Sequence, residues 1–347
     1  MSFGQLKPII GGSSVQPHEY PFAIYLSIET QPSWHAVCGG TLISDRHIVT
    51  AGHCLIHAPS AQAVKIGYGH THVKQQEHVR AGRLIVHPQF NPRTLFNDIA
   101  IIELETPIRQ TTNVYRIPIY FGSVEPGQVL TTMGWGITSN APGSRTVAVM
   151  NRVDLSIADP SNCKKVDESF VSNNGPFICT GTQPDGRDEC SGDSGSPAIV
   201  TMQNNSPMNQ RELHELRQRE LSEGSKSWGL LARIGNSGLF ANSRRSRRRE
   251  KQQLRDVRLV ALTSYGDNTH HDVHPPCGDP LGFGFSTHIA HYVGFITNAT
   301  GLSRSVLEAP LRLDRLGDVR TSGASTRMMT THALLLPTLV LLMLLFK

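Results

Sequence analysis

Residues 188–200 read DECSGDSGSPAIV. Ser194 stands between Asp193 and Gly195, with Gly192 two places before it and the apolar run PAIV behind it. A serine hydroxyl is a poor nucleophile at neutral pH and needs a base within hydrogen-bond reach. A glycine two residues upstream permits a backbone turn that a side chain would oppose. The stretch thus joins a candidate nucleophile, a special turn and a strand. What it requires of the rest of the chain is a base and a sheet.

The sheet is legible on both sides of it. Residues 9–126 contain FAIYLSI, CGGTLIS, HIVTAG, AVKIGY, RLIVHP and IAIIEL, and residues 127–200 contain QVLTTMGWG, RTVAVMNRVDLSI, PFICTG and SPAIV. Strand character returns in VRLVALTSYG and GFGFST. In THIAHYVGFITNAT apolar residues recur at helical spacing. Short strands with frequent glycine (31) and proline (21) predict an all-β fold with many turns. The 347 residues suffice for one large or two ordinary domains.

Residues 201–256 break the pattern with RELHELRQRE, RRSRRR and REKQQLRD. They hold 12 Lys and Arg against 6 Asp and Glu, so they carry the whole of the chain's net charge of +5 and leave the remainder close to neutral. The basicity therefore says little about partners of the folded body, and nucleic acid is not an expected partner.

The six cysteines, Cys38, Cys54, Cys163, Cys179, Cys190 and Cys277, include no CxxC pair. A zinc site is not expected, and an even, scattered set suits three disulfides in an oxidising compartment. Composition alone leaves their pairing open. The opening residues MSFGQLKP contain no apolar signal-peptide core, so the expectation is a natural start upstream or a truncated gene model.

Four stretches occur in order: IIGG (9–12), TAGHC (50–54), NDIAIIEL (97–104) and CSGDSGSP (190–197). Together they resemble the chymotrypsin family of trypsin-like serine proteases, over roughly residues 9–200 and 257–297. The resemblance implies two antiparallel six-stranded β-barrels, about 9–126 and 127–297, with the active site between them and a short C-terminal helix. It makes Ser194 the nucleophile, His53 the general base and then acid, and Asp98 the carboxylate that orients the imidazole. The N–H groups of Gly192 and Ser194 would form the oxyanion hole. Asp193 would pair with the α-amino group of Ile9 once residues 1–8, read as a propeptide remnant, are removed. The family's usual Arg or Lys before the cut is replaced here by Pro8, with Lys7 one place back, so a processing step other than self-cleavage is expected.

By the same resemblance Asp188 is the floor of the primary specificity pocket, with Gly266 and Gly284 as its small walls. Cleavage after Arg or Lys is the expected outcome. The cysteines would pair as Cys38–Cys54, Cys163–Cys179 and Cys190–Cys277. No cofactor or metal is implied, and the histidine-rich run HHDVH reads as a solvated loop. Expected partners are protein or peptide substrates and protein protease inhibitors.

By the family pattern the insertion 201–256 enlarges one hairpin connection, and loop closure costs grow only as the logarithm of length. Three readings stand: a disordered basic loop, a polyanion contact through RRSRRR, or unspliced intron sequence. The absence of a core-like pattern favours the first and the last. After a polar linker over 298–332, the tail ALLLPTLVLLMLLFK (333–347) falls short of the ~20 residues of a spanning helix. Preceded by Ser322, Gly323, Ala324, Ser325 and a polar spacer, it matches a GPI-anchor signal; a short membrane anchor or a chance apolar end is the alternative. Asn204 and Asn298 lie in glycosylation sequons. The sequence thus predicts a secreted or cell-surface endopeptidase. The competing reading is a catalytically silent homologue that binds or inhibits.

Overall fold

Along Ala23–Thr30, Ile24, Leu26 and Ile28 are fully buried, so every second residue enters one core. This strand, β2, opens a closed barrel in the computed structural model of the chain. The structure describes residues 9–30, 34–181, 185–203, 206–209, 211–218, 257–272 and 275–311. The barrel is completed by β3 (Trp34–Leu42), β4 (His47–Thr50), β5 (Val64–Tyr68), β6 (Glu77–Val86) and β7 (Ala100–Leu104), in the order β2-β3-β4-β7-β6-β5. Its interior is filled by aliphatic side chains, including Leu42, Ile48, Ile66 and Ile102.

The second half is an eight-stranded antiparallel sheet. Its strands are β1 (Ser13–Ser14), β8 (Val129–Gly134), β9 (Asn151–Ser156), β10 (Phe177–Thr180), β11 (Pro197–Gln203), β12 (Ser206–Pro207), β13 (Val257–Asn268) and β14 (Gly282–His288). They run β1-β9-β8-β11-β13-β14-β10, with β12 added to β11. A single bridge, Ile157 to Thr180, joins the β9 and β10 ends and draws the sheet around. β1 comes from the chain's beginning, so the first described residues complete the second sheet and not the first barrel.

Of the predicted run RTVAVMNRVDLSI, only the part from Asn151 is strand. The earlier residues cross between the halves: the Val73 N–H donates to Ala148 O (2.9 Å) and the Met150 N–H to Thr71 O (2.9 Å). The predicted helix begins later than its apolar pattern, because Thr287 and His288 finish β14; a 3₁₀ turn follows, then a helix at Val293–Thr300. Helices α1 (Gly52–Leu55) and α2 (Pro160–Val166) precede it in the chain, each beside a cysteine pair.

Two expectations need correction. The segment 201–256 is not disordered throughout: β11 runs on to Gln203, β12 pairs with it, and residues 211–218 form a helix, α3. Met208 and Leu213 are buried against Val129, and Arg217 forms an ion pair with Asp154. Leu213 on this largely charged helix, with Leu216 partly buried beside it and Met208 just before it, docks the segment. Residues 219–256, with RRSRRR, lie outside the described residues, as do Asn204, residues 1–8 and the tail 333–347.

Nor is 298–311 a linker. The helix at Val293–Thr300 (α4) is followed by α5 (Arg304–Glu308), whose Leu307 is buried in the core cluster that spans both halves. Leu307 O accepts from the Ile119 N–H (2.9 Å) and Ala309 O from the Arg116 guanidinium (3.0 Å). Among the described residues no helix is long and apolar enough to cross a membrane.

Candidate active site

The nucleophile loop and strand β3 approach closely. The Gly39 N–H donates to Ser194 O at 2.7 Å, and Thr50 Oγ1 donates to Gly39 O at 2.7 Å. A side chain at Gly39 would collide with Ser196, its Cβ falling 2.7 Å from the Ser196 Cα. Glycine is required there because two backbones touch. The Cys38–Cys54 disulfide fastens the same strand to α1, which carries His53.

Asp98 is fully buried. Its Oδ1 accepts from the His53 N–H (2.8 Å), and its Oδ2 from His53 Nδ1 (2.7 Å) and Ser264 Oγ (2.5 Å). Thr287 Oγ1 donates to Asp98 O at 2.9 Å. A carboxylate that only accepts fixes the imidazole proton on Nδ1 and leaves Nε2 as an acceptor. Two residues beside this carboxylate, Leu95 and Asn97, have positive φ (53° and 58°). Asparagine tolerates that region; for leucine it is strain held by the surroundings. Ser264 was not singled out in the sequence. Its only signal was a place in TSYG, next to the expected pocket wall.

Ser194 is half-buried. Its carbonyl oxygen lies 3.7 Å from Sγ of Cys54, the residue after His53, and its hydroxyl makes no hydrogen bond to His53. Active-site bonds of this kind are often long before substrate binds. Gly192 has φ 96°, a conformation that side chains oppose. Asp193 and Ser196 donate backbone N–H groups to Cys190 O and Asp193 O, whereas the N–H groups of Gly192 and Ser194 have no acceptor among the described residues. Two free donors, the serine's own N–H and that of the residue two places before it, are what a developing oxyanion needs.

Among the described residues no cation reaches Asp193. Its carboxylate accepts from the N–H groups of Gly136 (2.8 Å) and Cys190 (3.1 Å), and among the described residues it has no ion pair. Burial pushes its pKa up to about 7. Ile9, still joined to Pro8, is buried with Val153 and Leu155, and the carbonyl of Ile10 accepts from the Asp188 N–H (3.0 Å).

Asp188 Oδ2 accepts from the Gly278 N–H at 2.8 Å, beside the Cys190–Cys277 disulfide, and burial raises its pKa to about 6. Gly266 and Gly284 face one another as a cross-strand pair of β13 and β14. A Cβ on Gly266 would meet nothing nearer than Phe283 O at 3.7 Å, so the space over it is open. Tyr265 stacks on Phe285 (4.8 Å between centroids), and its hydroxyl donates to Asp167 at 2.7 Å. Glu189, not picked out in the sequence, is surrounded by protein beside Asp188; burial and that neighbour raise its pKa to about 8. The run DEC held the signal, a second acid beside the first.

Cys163–Cys179 forms the third disulfide. Cys38, His53 and Cys54 group their donor atoms closely enough for a metal, but the disulfide uses both thiols. Asn298 is exposed on α4.

The trypsin family model matches residues 9–211. Human cathepsin G is 30% identical over 197 residues, covering 55% of this chain and 73% of that protein. Human granzyme B is 31% identical over 197 residues, covering 55% of this chain and 76% of its own length. A trypsin from Phaedon cochleariae is 32% identical over 199 residues, covering 55% and 74%.

Proposed function

The chain belongs to the trypsin family of serine proteases, and from that premise we propose that it is an endopeptidase cleaving peptide bonds after Arg or Lys. The observation that carries the reading is the fully buried Asp98, which accepts from His53 Nδ1 and Ser264 while leaving the other imidazole nitrogen free. In this reading Ser194 Oγ attacks the carbonyl carbon as His53 Nε2 takes its proton. The oxyanion forms opposite the N–H groups of Gly192 and Ser194. The imidazolium, stabilised by Asp98, then protonates the leaving amine, and water repeats the sequence to release the acyl group.

Asp188 supplies the specificity. It is a buried carboxyl with a raised pKa and no cation of its own among the described residues. A basic side chain entering past Gly266 would supply that cation. Asp193 has the same deficit, and processing before Ile9 would free an α-amino group to fill it. Three disulfides suit an oxidising, extracellular setting. Protein protease inhibitors are expected to compete with substrate, and a GPI anchor at the C-terminus would hold the enzyme on the outer surface.

The test is fluorophosphonate labelling of the full chain, with an engineered cleavage site ahead of Ile9, together with peptide profiling. Labelling at Ser194 and cleavage after basic residues are expected. Absence of labelling after processing would leave the silent-homologue reading in its place.

A further inference from the structure

The expected pocket has one carboxyl; the structure places a second beside it. We propose that Glu189 is a specificity-determining residue, and that with Asp188 it fits the pocket to the forked guanidinium of arginine over the ammonium of lysine. The inference rests on the reading of Asp188 as the pocket floor.

The two side chains are adjacent in the chain, and their carboxyls are turned to different partners. The Asp188 carboxylate is turned to the N–H groups of Gly278 and Glu189, each at 2.8 Å. Glu189 is directed toward β14, where its Oε2 lies 4.0 Å from where a Gly284 Cβ would stand. That is the wall residue expected to leave room for substrate. The hydroxyls of Thr132 and Thr263 lie beside the Glu189 carboxyl and lower its pKa, and neither makes a full hydrogen bond among the described residues. They form a polar cradle for a partly buried acid. Neither acid is fully closed off from solvent.

A guanidinium is planar and offers five N–H donors in a fixed fork, so it can engage two separate acceptors at once. An ammonium is a point charge that suits one. Without a substrate the neighbouring acids disfavour double ionisation: burial raises the Glu189 pKa most, and the charges of Asp188 and Asp193 raise it further. A guanidinium would displace the retained proton and satisfy both acids. Lysine would satisfy Asp188 and leave Glu189 protonated.

Matched peptides differing only in Arg or Lys before the cut test this on the full chain processed ahead of Ile9. Wild type is expected to favour arginine about tenfold or more in kcat/KM, the worth of one charge-assisted hydrogen bond. Glu189→Gln and Glu189→Ser should each cut that preference to about threefold or less. Benzamidine, an amidinium probe, should bind each variant about tenfold more weakly by calorimetry. A cooperative thermal melt checks that each variant folds, and the isosteric glutamine guards against a packing effect. A wild-type preference for lysine, or a ratio unchanged within about twofold in both variants, overturns the role of Glu189 and leaves the Asp188 pocket standing. Labelling by fluorophosphonate with cleavage after neither residue would instead remove the Asp188 reading, and this inference with it.

Discussion

Asp98 has three side-chain acceptor bonds and no exposed surface. Its replacement therefore acts on the imidazole rather than on substrate affinity. Asp98→Asn presents an amide where a carboxylate fixed the tautomer, and kcat should fall on the order of 10⁴-fold with little change in KM. Ser264→Ala removes one donor and leaves the carboxylate otherwise held, so the loss should be about tenfold. Steady-state kinetics on one peptide compares the two; equal losses would mean that Ser264 does more than orient Asp98. The residues that resemblance named were those within contiguous motifs. Ser264 and Glu189 were passed over because a partner 166 positions away, or a neighbour's environment, leaves no mark in a local pattern.

At the scale of elements, strand β3 and the nucleophile loop meet backbone to backbone. Gly39→Ala forces a methyl into Ser196, which should destabilise the fold by about 1–3 kcal/mol and abolish fluorophosphonate labelling. Helix α3 is held by Leu213 and Met208 against Val129. Leu213→Ala should cost about 2–5 kcal/mol, seen as a lower urea midpoint, if that helix belongs to the cooperative unit. A midpoint unchanged by the substitution would show α3 to be a dispensable cover. Most strands could be read from their apolar runs, since a buried strand needs little else. The docked start of the insertion could not. Its charged residues dominate the composition, while the two side chains that decide its place are visible only against the barrel. The end of the supposed strand RTVAVMNRVDLSI was equally legible and its beginning was not, because pairing with the other half claims residues 148–150.

Among the described residues three acids have pKa values raised by burial, Asp188, Asp193 and Glu189. An acid whose folded pKa lies above its unfolded value holds its proton more tightly when folded. Stability is then greatest below the unfolded pKa of about 4 and falls as pH rises toward the folded value. The unprocessed chain should melt several degrees lower at pH 8 than at pH 5, and Asp193→Asn should shrink that difference. Processing ahead of Ile9 should shrink it too, by giving Asp193 a cation; a melting temperature that rises with pH in the unprocessed chain would contradict all of this. The Cys190–Cys277 bond spans 87 residues and brackets RRSRRR. A cut in that run should yield two fragments on a reducing gel and one band without reductant. The end of the described chain has a mechanical meaning as well. Leu307 and Ala309 are bonded to Ile119 and Arg116, in the connector between the two halves, and Ile119 is bridged to Leu259 of β13. A pulling force applied downstream, by a tether or by optical tweezers, enters at that seam.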